Sequence, residues 1–289
     1  MDTSKQLYEH EATGWRRGVY DDVKRTFRAP IVNWIFRTVM ANDPEFTRYA
    51  WGQVKPLFDT RGFARFSVRY RDAVLSELDD APAYRRAETG LSPAEFAEAR
   101  GQLATFDVVA PRLAVLFGTM DRALQGDPVG DSPLDERATT APFPDWLDAD
   151  RGRPPTMVDS APESLDSTVE AVREFHGLGG DLPSIYRCLA QWPAFFETLW
   201  ADVEPTLEGA GFDRACERTS DLVDEFVAGA PYRPRLAPED LRGIGMEDDA
   251  IGDVQGLFHQ FNTGAVETVL PALPVFAASV DAAGERSLG

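Results

Sequence analysis

A chain of 289 residues with 43% hydrophobic composition can bury a sizeable core, so the protein is globular rather than disordered. Its net charge of −19 and pI near 4.5 exclude nucleic acid and an anionic membrane as partners. The positive charge is almost all arginine, with Lys5, Lys24 and Lys55 as the only lysines, and an acid-rich, lysine-poor surface suits a high-salt cytoplasm, hence a halophilic source, as well as an ordinary acidic protein.

The N-terminal segment MDTSKQLYEHEATGW has no apolar core of the kind a signal peptide carries, which predicts a cytoplasmic protein. From Asn33 onward the periodicity is helical. Phe46, Tyr49, Ala50, Val54, Leu57 and Phe58 share one helix face, with Asp43 as N-cap and Pro44 at the first helical position. Pro56 falls late in that helix, and Gly62 stands where a stop and turn into the next helix are expected. Ser92-Pro93-x-Glu95 has the form of a capping box opening the helix of Phe96, Ala99 and Leu103. Phe106-Asp107 before Pro111 reads as a break ahead of a last helix bearing Leu113, Leu116, Phe117 and Met120.

Residues 126–164, rich in Pro, Asp and Ser, read as a long connector. Beyond it the pattern recurs. Ile35, Arg37, Pro44, Phe46, Trp51, Val54, Pro56, Gly62 and Phe63 return in order as Ile185, Arg187, Pro193, Phe195, Trp200, Val203, Pro205, Gly211 and Phe212. The spacing slips once, where Asn42-Asp43 faces Trp192 alone. A period of roughly 150 residues is too long for a solenoid and predicts a fused dimer, with a pseudo-twofold axis and a crevice between the copies. Phe261-Asn262-Thr263-Gly264 marks the break before the second copy's last helix, and no alternating strand is present. The expected architecture is all-α: a first helical repeat over 1–125, a connector over 126–164 and a second repeat over 165–289, with roughly six helices each. The most apolar stretch, Ala265 to Val280, is interrupted by Glu267, Pro271 and Pro274, so no membrane span is expected. Cys188 and Cys216 are too far apart for a redox pair and read as small apolar residues in helices.

No HExxH, P-loop or GxSxG motif is present, and Gly177-Leu178-Gly179-Gly180 does not match a dinucleotide fingerprint. His10, His176 and His259 are scattered and read as satisfied interior or surface residues; Glu247-Asp248-Asp249 reads as acids favoured by a helix dipole rather than a metal site. Neither metal nor cofactor is expected. The segments repeated about the axis carry more weight. Asn33, Trp34, Phe36, Ser184, Tyr186 and Asn262 would line the crevice around a small apolar group, while Arg37 or Arg187 would clamp a carboxylate. The competing reading makes those aromatics core and those arginines ties between helices.

Val19-Tyr-Asp-Asp-Val, Arg28-Ala-Pro30, the segment from Leu103 to Pro128-Val129-Gly130, and Cys188-Leu-Ala-Gln-Trp192-Pro193 together resemble the group I 2-haloacid dehalogenases, which act on both enantiomers. The resemblance runs over nearly the whole chain and implies an all-α pseudo-dimer related to the alkylhydroperoxidase and carboxymuconolactone decarboxylase group, although the CxxC of the peroxidase branch is missing. It also implies a mechanism in which an aspartate deprotonates water for in-line attack at C2, halide leaves, and an asparagine holds water or substrate. Read back from Trp192-Pro193, the aspartate position falls on Ile185 with Ser184 beside it, and the asparagine position falls on Ala110. Both departures delete the required chemistry. Asp181, four residues before Ile185, and Asp107, three before Ala110, are the candidate replacement bases. Three readings follow: a dehalogenase-like hydrolase whose activity is lost or altered, a non-catalytic binder of a small carboxylic acid in the crevice, and, disfavoured by the solitary Cys188, redox chemistry. A homodimer is a possible assembly.

Overall fold

A computed structural model describes residues 1–78, 81–131, 141–180 and 182–288. Twelve α-helices are described: α1 Gly14–Phe27, α2 Trp34–Asn42, α3 Pro44–Phe58, α4 Arg61–Leu75, α5 Pro93–Gln125, α6 Asp166–His176, α7 Ser184–Leu189, α8 Pro193–Leu207, α9 Ala210–Ala228, α10 Pro238–Gly243, α11 Asp248–Asn262 and α12 Val266–Ser279. Among the described residues the only β pairing is an isolated bridge between Thr60 and Pro142, so the all-α expectation holds.

Local sequence explains the starts of α3, α5 and α8. Asp43 accepts a hydrogen bond from the Phe46 N–H at 2.9 Å and Pro44 is the first residue of α3; Pro193 has the same place in α8. The Ser92/Glu95 box closes reciprocally, Glu95 accepting from the Ser92 N–H at 2.9 Å and Ser92 Oγ from the Glu95 N–H at 3.3 Å. Pro56 and Pro205 both lie inside their helices, and the repeated Phe46/Phe195, Trp51/Trp200, Val54/Val203 and Phe63/Phe212 are all buried.

Three sequence expectations need correction. There is no break at Phe106-Asp107: α5 runs through Pro111 without interruption. Pro111 lacks one backbone donor, but the segment has no glycine to turn on, and the buried flanks Val108, Val109, Leu113 and Val115 hold the helix in its core. Gly62 and Gly211 are not stops; each is the second residue of a helix. At Gly211 the reason is close approach, since a Cβ there would lie 2.5 Å from the Glu77 carbonyl oxygen. Finally, α5, rather than Ala265–Val280, is long and apolar enough to cross a membrane, but that stretch is wholly buried in protein, as in a core helix.

The chain forms two compact units that cut across the sequence repeats, each drawing helices from both halves. The first comprises Met1–Phe66, Arg112–Ala149 and Val223–Asn262. Its core is a cluster of Phe27, Phe36, Trp51, Phe58 and Phe63 in edge-to-face and stacked contact. Arg28, in the left-handed conformation (φ 52°) that ends α1, donates to the carbonyls of Pro144, Asp145 and Leu147 and so fastens the connector to this core. The second comprises Ser67–Pro111, Asp150–Leu222 and Thr263–Gly289. Its core gathers Tyr186, Phe196, Trp200 and Phe276, with Phe175 against Trp200 and Phe212.

Candidate functional site

The second unit holds the positions at which the family chemistry is sought. Ile185 on α7 and Ala110 on α5 are buried, at 2% and 0% exposure. Ile185 is as buried as its repeat counterpart Ile35, also 2% exposed, which is the behaviour of a core side chain. Pro183 is the N-cap of α7, so Asp181 precedes the helix by sequence; Asp181 itself lies outside the described residues. Ser184 opens α7 and is half-buried.

Asp107 is fully buried on α5. Its Oδ2 lies 3.1 Å from Arg71 Nε and 3.0 Å from Arg151, and accepts from the Gly284 N–H at 2.9 Å. Arg71 is as buried as Asp107, so this is an internal ion pair joining α4, α5, the connector and the C-terminal segment. The same segment is held by Arg100 and Arg151, which donate to the Asp281 and Ala282 carbonyls, and by the Arg286–Asp72 pair.

Tyr186 is also wholly buried, hydrogen-bonded to His176 Nε2, while His176 Nδ1 lies 2.7 Å from Thr268 Oγ1. Thr268 Oγ1 donates to the Ala265 carbonyl, so it accepts from Nδ1–H, and Nε2 accepts from the phenol. Burial pulls the His176 imidazole down to about 4 and pushes the Tyr186 phenol well above its ordinary range. Cys188 is sealed beside Gln102, its Sγ 3.0 Å from the Gln102 amide oxygen, and burial raises its thiol to about 12, which removes the thiolate that redox chemistry needs. Arg187 donates to the Val158 carbonyl at 2.9 Å and thereby ties α7 to the connector.

The remaining candidates fall in the first unit. Trp34 opens α2 and stacks on Phe261 of α11 at 4.9 Å between ring centroids, and Phe117 of α5 leans on the same ring at 5.3 Å. Asn33, the N-cap of α2, makes no capping bond, and its Oδ1 is buried with no donor among the described residues. Asn262 donates from Nδ2 to Asp121 Oδ2 at 3.0 Å, and His259 Nδ1 lies 3.2 and 3.3 Å from the two Asp121 oxygens. Phe36 belongs to the aromatic core rather than to this wall. Asn33, Trp34 and Asn262 are therefore brought into one neighbourhood with Asp121 and His259. Sequence reasoning passed over those two because the chain separates them by 138 positions. Among the described residues no group of three or more metal-ligating side chains is assembled.

A family model described as Halocarboxylic acid dehydrogenase DehI matches residues 30–158. An (R)-2-haloacid dehalogenase of Pseudomonas putida is 36% identical over 273 residues, covering 90% of this chain and 89% of that one. This chain belongs to the 2-haloacid dehalogenase family. Another relative, the configuration-inverting 2-haloacid dehalogenase of Pseudomonas sp. strain 113, is 24% identical over 258 residues and covers 83% of this chain and 82% of its own. The solved structure of a D-2-haloacid dehalogenase in complex with L-LA matches with a TM-score of 0.79 and 21% identity over 95% of both chains, which establishes the shared fold. The family's characterised relatives are hydrolases.

Proposed function

We propose that this protein is a 2-haloacid dehalogenase family member in which halide-releasing hydrolysis is lost or altered. The observation that carries the reading is the burial of Ile185 and Ala110 as apolar core at the positions where the resemblance requires an aspartate and an asparagine. Water is too weak a nucleophile to displace halide without a base, and a positioned base is worth about 10² to 10⁴ in rate. Asp107 does not fill the vacancy well, because its charge is already shared with Arg71 and Arg151 and packing seals it from water. Asp181 remains the other proposed base. The second reading, a non-catalytic binder of a small carboxylic acid, draws support from the half-buried Trp34, which with Phe261 offers aromatic surface to the apolar part of such an acid.

Halide release from 2-chloropropionate by wild type, Ile185→Asp, Ala110→Asn and the double variant tests the proposal. Little or no release by wild type is expected, with a gain in the double variant. Turnover by wild type that survives Asp181→Ala and Asp107→Ala overturns it. The acid-rich surface is proposed as an adaptation to salt: the melting temperature should rise steeply from millimolar to molar KCl as the Debye length shrinks from about 30 to about 3 Å. A flat profile removes that part of the reading.

A further inference from the structure

We propose that Trp200 and Tyr186 form a one-electron relay for an outer-sphere oxidant, with His176 as the base that takes the phenol proton. The relay calls on no thiol, stands apart from the fate of Ile185 and Ala110, and draws on residues of the second unit alone.

The two repeats build the same three-ring nest from different chemistry. In the first, the ring centroids of Phe27–Phe36, Phe36–Trp51 and Phe27–Trp51 lie 5.8, 5.5 and 5.8 Å apart. In the second, His176 closes α6 as Phe27 closes α1, and Tyr186 and Trp200 stand where the repeat has Phe36 and Trp51. The corresponding separations are 5.5 Å for His176–Tyr186, 5.8 Å for Tyr186–Trp200 and 6.4 Å for His176–Trp200. Both tryptophans donate to a carboxylate: Trp51 Nε1 to Asp22 at 2.8 Å, and Trp200 Nε1 to Glu204 at 3.0 Å. Phenylalanines therefore satisfy the packing of this nest. An imidazole and a phenol in their place bury two polar groups at a desolvation cost that hydrogen bonding only offsets, so packing does not account for the pair.

Each atom has a defined part. Thr268 Oγ1 holds the proton on His176 Nδ1, so Nε2 presents its lone pair to the Tyr186 hydroxyl. Burial keeps the imidazole neutral down to about 4 and holds the phenol well above its ordinary range, so the phenol proton does not leave before the electron. A phenol that has lost an electron is a strong acid, and its proton passes along the hydrogen bond already in place. The oxidant removes one electron from Trp200, and the Glu204 carboxylate stabilises the indole cation that results. An electron then crosses from Tyr186 to Trp200 as the Tyr186 O–H bond breaks and an N–H bond forms at His176 Nε2. The products are the restored indole, a neutral phenoxyl radical, an imidazolium and the reduced oxidant. An electron from a one-electron reductant sends the proton back to the phenol. Tyr186, Trp200 and His176 are exposed by only 0, 3 and 4%, which shields the radical from water, while the half-buried Glu204 marks the edge of the nest that an oxidant approaches.

The test is flash photolysis of the full-length protein with a ruthenium tris-bipyridine photo-oxidant and a sacrificial electron acceptor, read by electron paramagnetic resonance and transient absorption. Wild type should give a persistent phenoxyl signal that forms severalfold more slowly in heavy water, because the proton moves with the electron. Tyr186→Phe, which installs the ring of the first nest and so keeps the packing, should abolish it. Tyr84→Phe, which removes a surface phenol hydrogen-bonded to Asp202, should leave it intact. His176→Gln still accepts from the hydroxyl but takes no proton, so the yield should fall severalfold and the heavy-water effect should vanish, with an unchanged helical circular dichroism spectrum. Trp200→Phe should slow formation severalfold, whereas Trp51→Phe, the same change in the first nest, should not. The absence of a persistent signal in wild type, its survival in Tyr186→Phe, an unchanged yield and heavy-water effect in His176→Gln, or equal slowing by the two tryptophan variants overturns the proposal.

Discussion

Asp107 and Asp121 lie on the same helix and have the same side chain, yet they meet opposite surroundings. Asp107 meets Arg71, Arg151 and the Gly284 N–H with no exposed surface, while Asp121 meets an amide and an imidazole that faces solvent. The difference lies in the partners. Two guanidiniums make one carboxylate a buried structural tie; an amide and a largely exposed imidazole leave the other at the edge of the packing. Residue type and helix position alone therefore do not fix what an acid does.

Removing each acid gives the largest expected contrast. Asp107→Ala removes the buried carboxylate that Arg71 and Arg151 share, and losing one member of a buried pair costs about 3–5 kcal/mol. Asp121→Ala breaks an interaction with a largely exposed partner, for which about 1 kcal/mol or less is expected. Urea denaturation of both variants measures this. Equal losses would mean that Asp107 is not the tie its contacts describe.

The two histidines extend the same contrast to pH. His176 is sealed in the second unit, and burial pulls its imidazole from 6.5 to about 4. The unfolded chain takes up this proton near pH 6.5, whereas the folded chain refuses it until about pH 4. The contribution is therefore complete above pH 6.5, lost progressively between 6.5 and 4, and amounts to roughly 3 kcal/mol at most. Protonation also removes the lone pair that accepts from Tyr186. His176→Gln, which cannot titrate, should be less stable at neutral pH but show a shallower loss of stability across that window. An unchanged slope would assign the acid sensitivity elsewhere.

What was legible in the sequence was local. Pro44 and Pro193 at helix starts, the Ser92/Glu95 box and the repeated aromatic faces follow from rules that act within one or two turns, and the structure keeps them. Distance hid the rest. Nothing near Asp107 announces Arg71 or Gly284, and nothing near Asp121 announces His259 or Asn262, because helix packing makes those pairs. Pro111 and Gly211 misled for a related reason: a proline can be carried by a buried helix, and a glycine can mark the close approach of a carbonyl as well as a stop.

The smallest effect concerns the start of the helix that carries both acids. Ser92 caps α5 while Glu95 returns the bond, so Ser92→Ala leaves the Glu95 N–H without its acceptor at an exposed helix end. Such a change costs about 1 kcal/mol, and Ser92→Gly a few tenths, since glycine exposes the same N–H to water. The loss should be confined to the first turn, where amide exchange quickens, because the core contacts of Ala99 and Leu103 hold the helix beyond it. If Ser92→Ala instead cost as much as Asp107→Ala, α5 would be held chiefly by its end rather than by its buried core and the Asp107 tie.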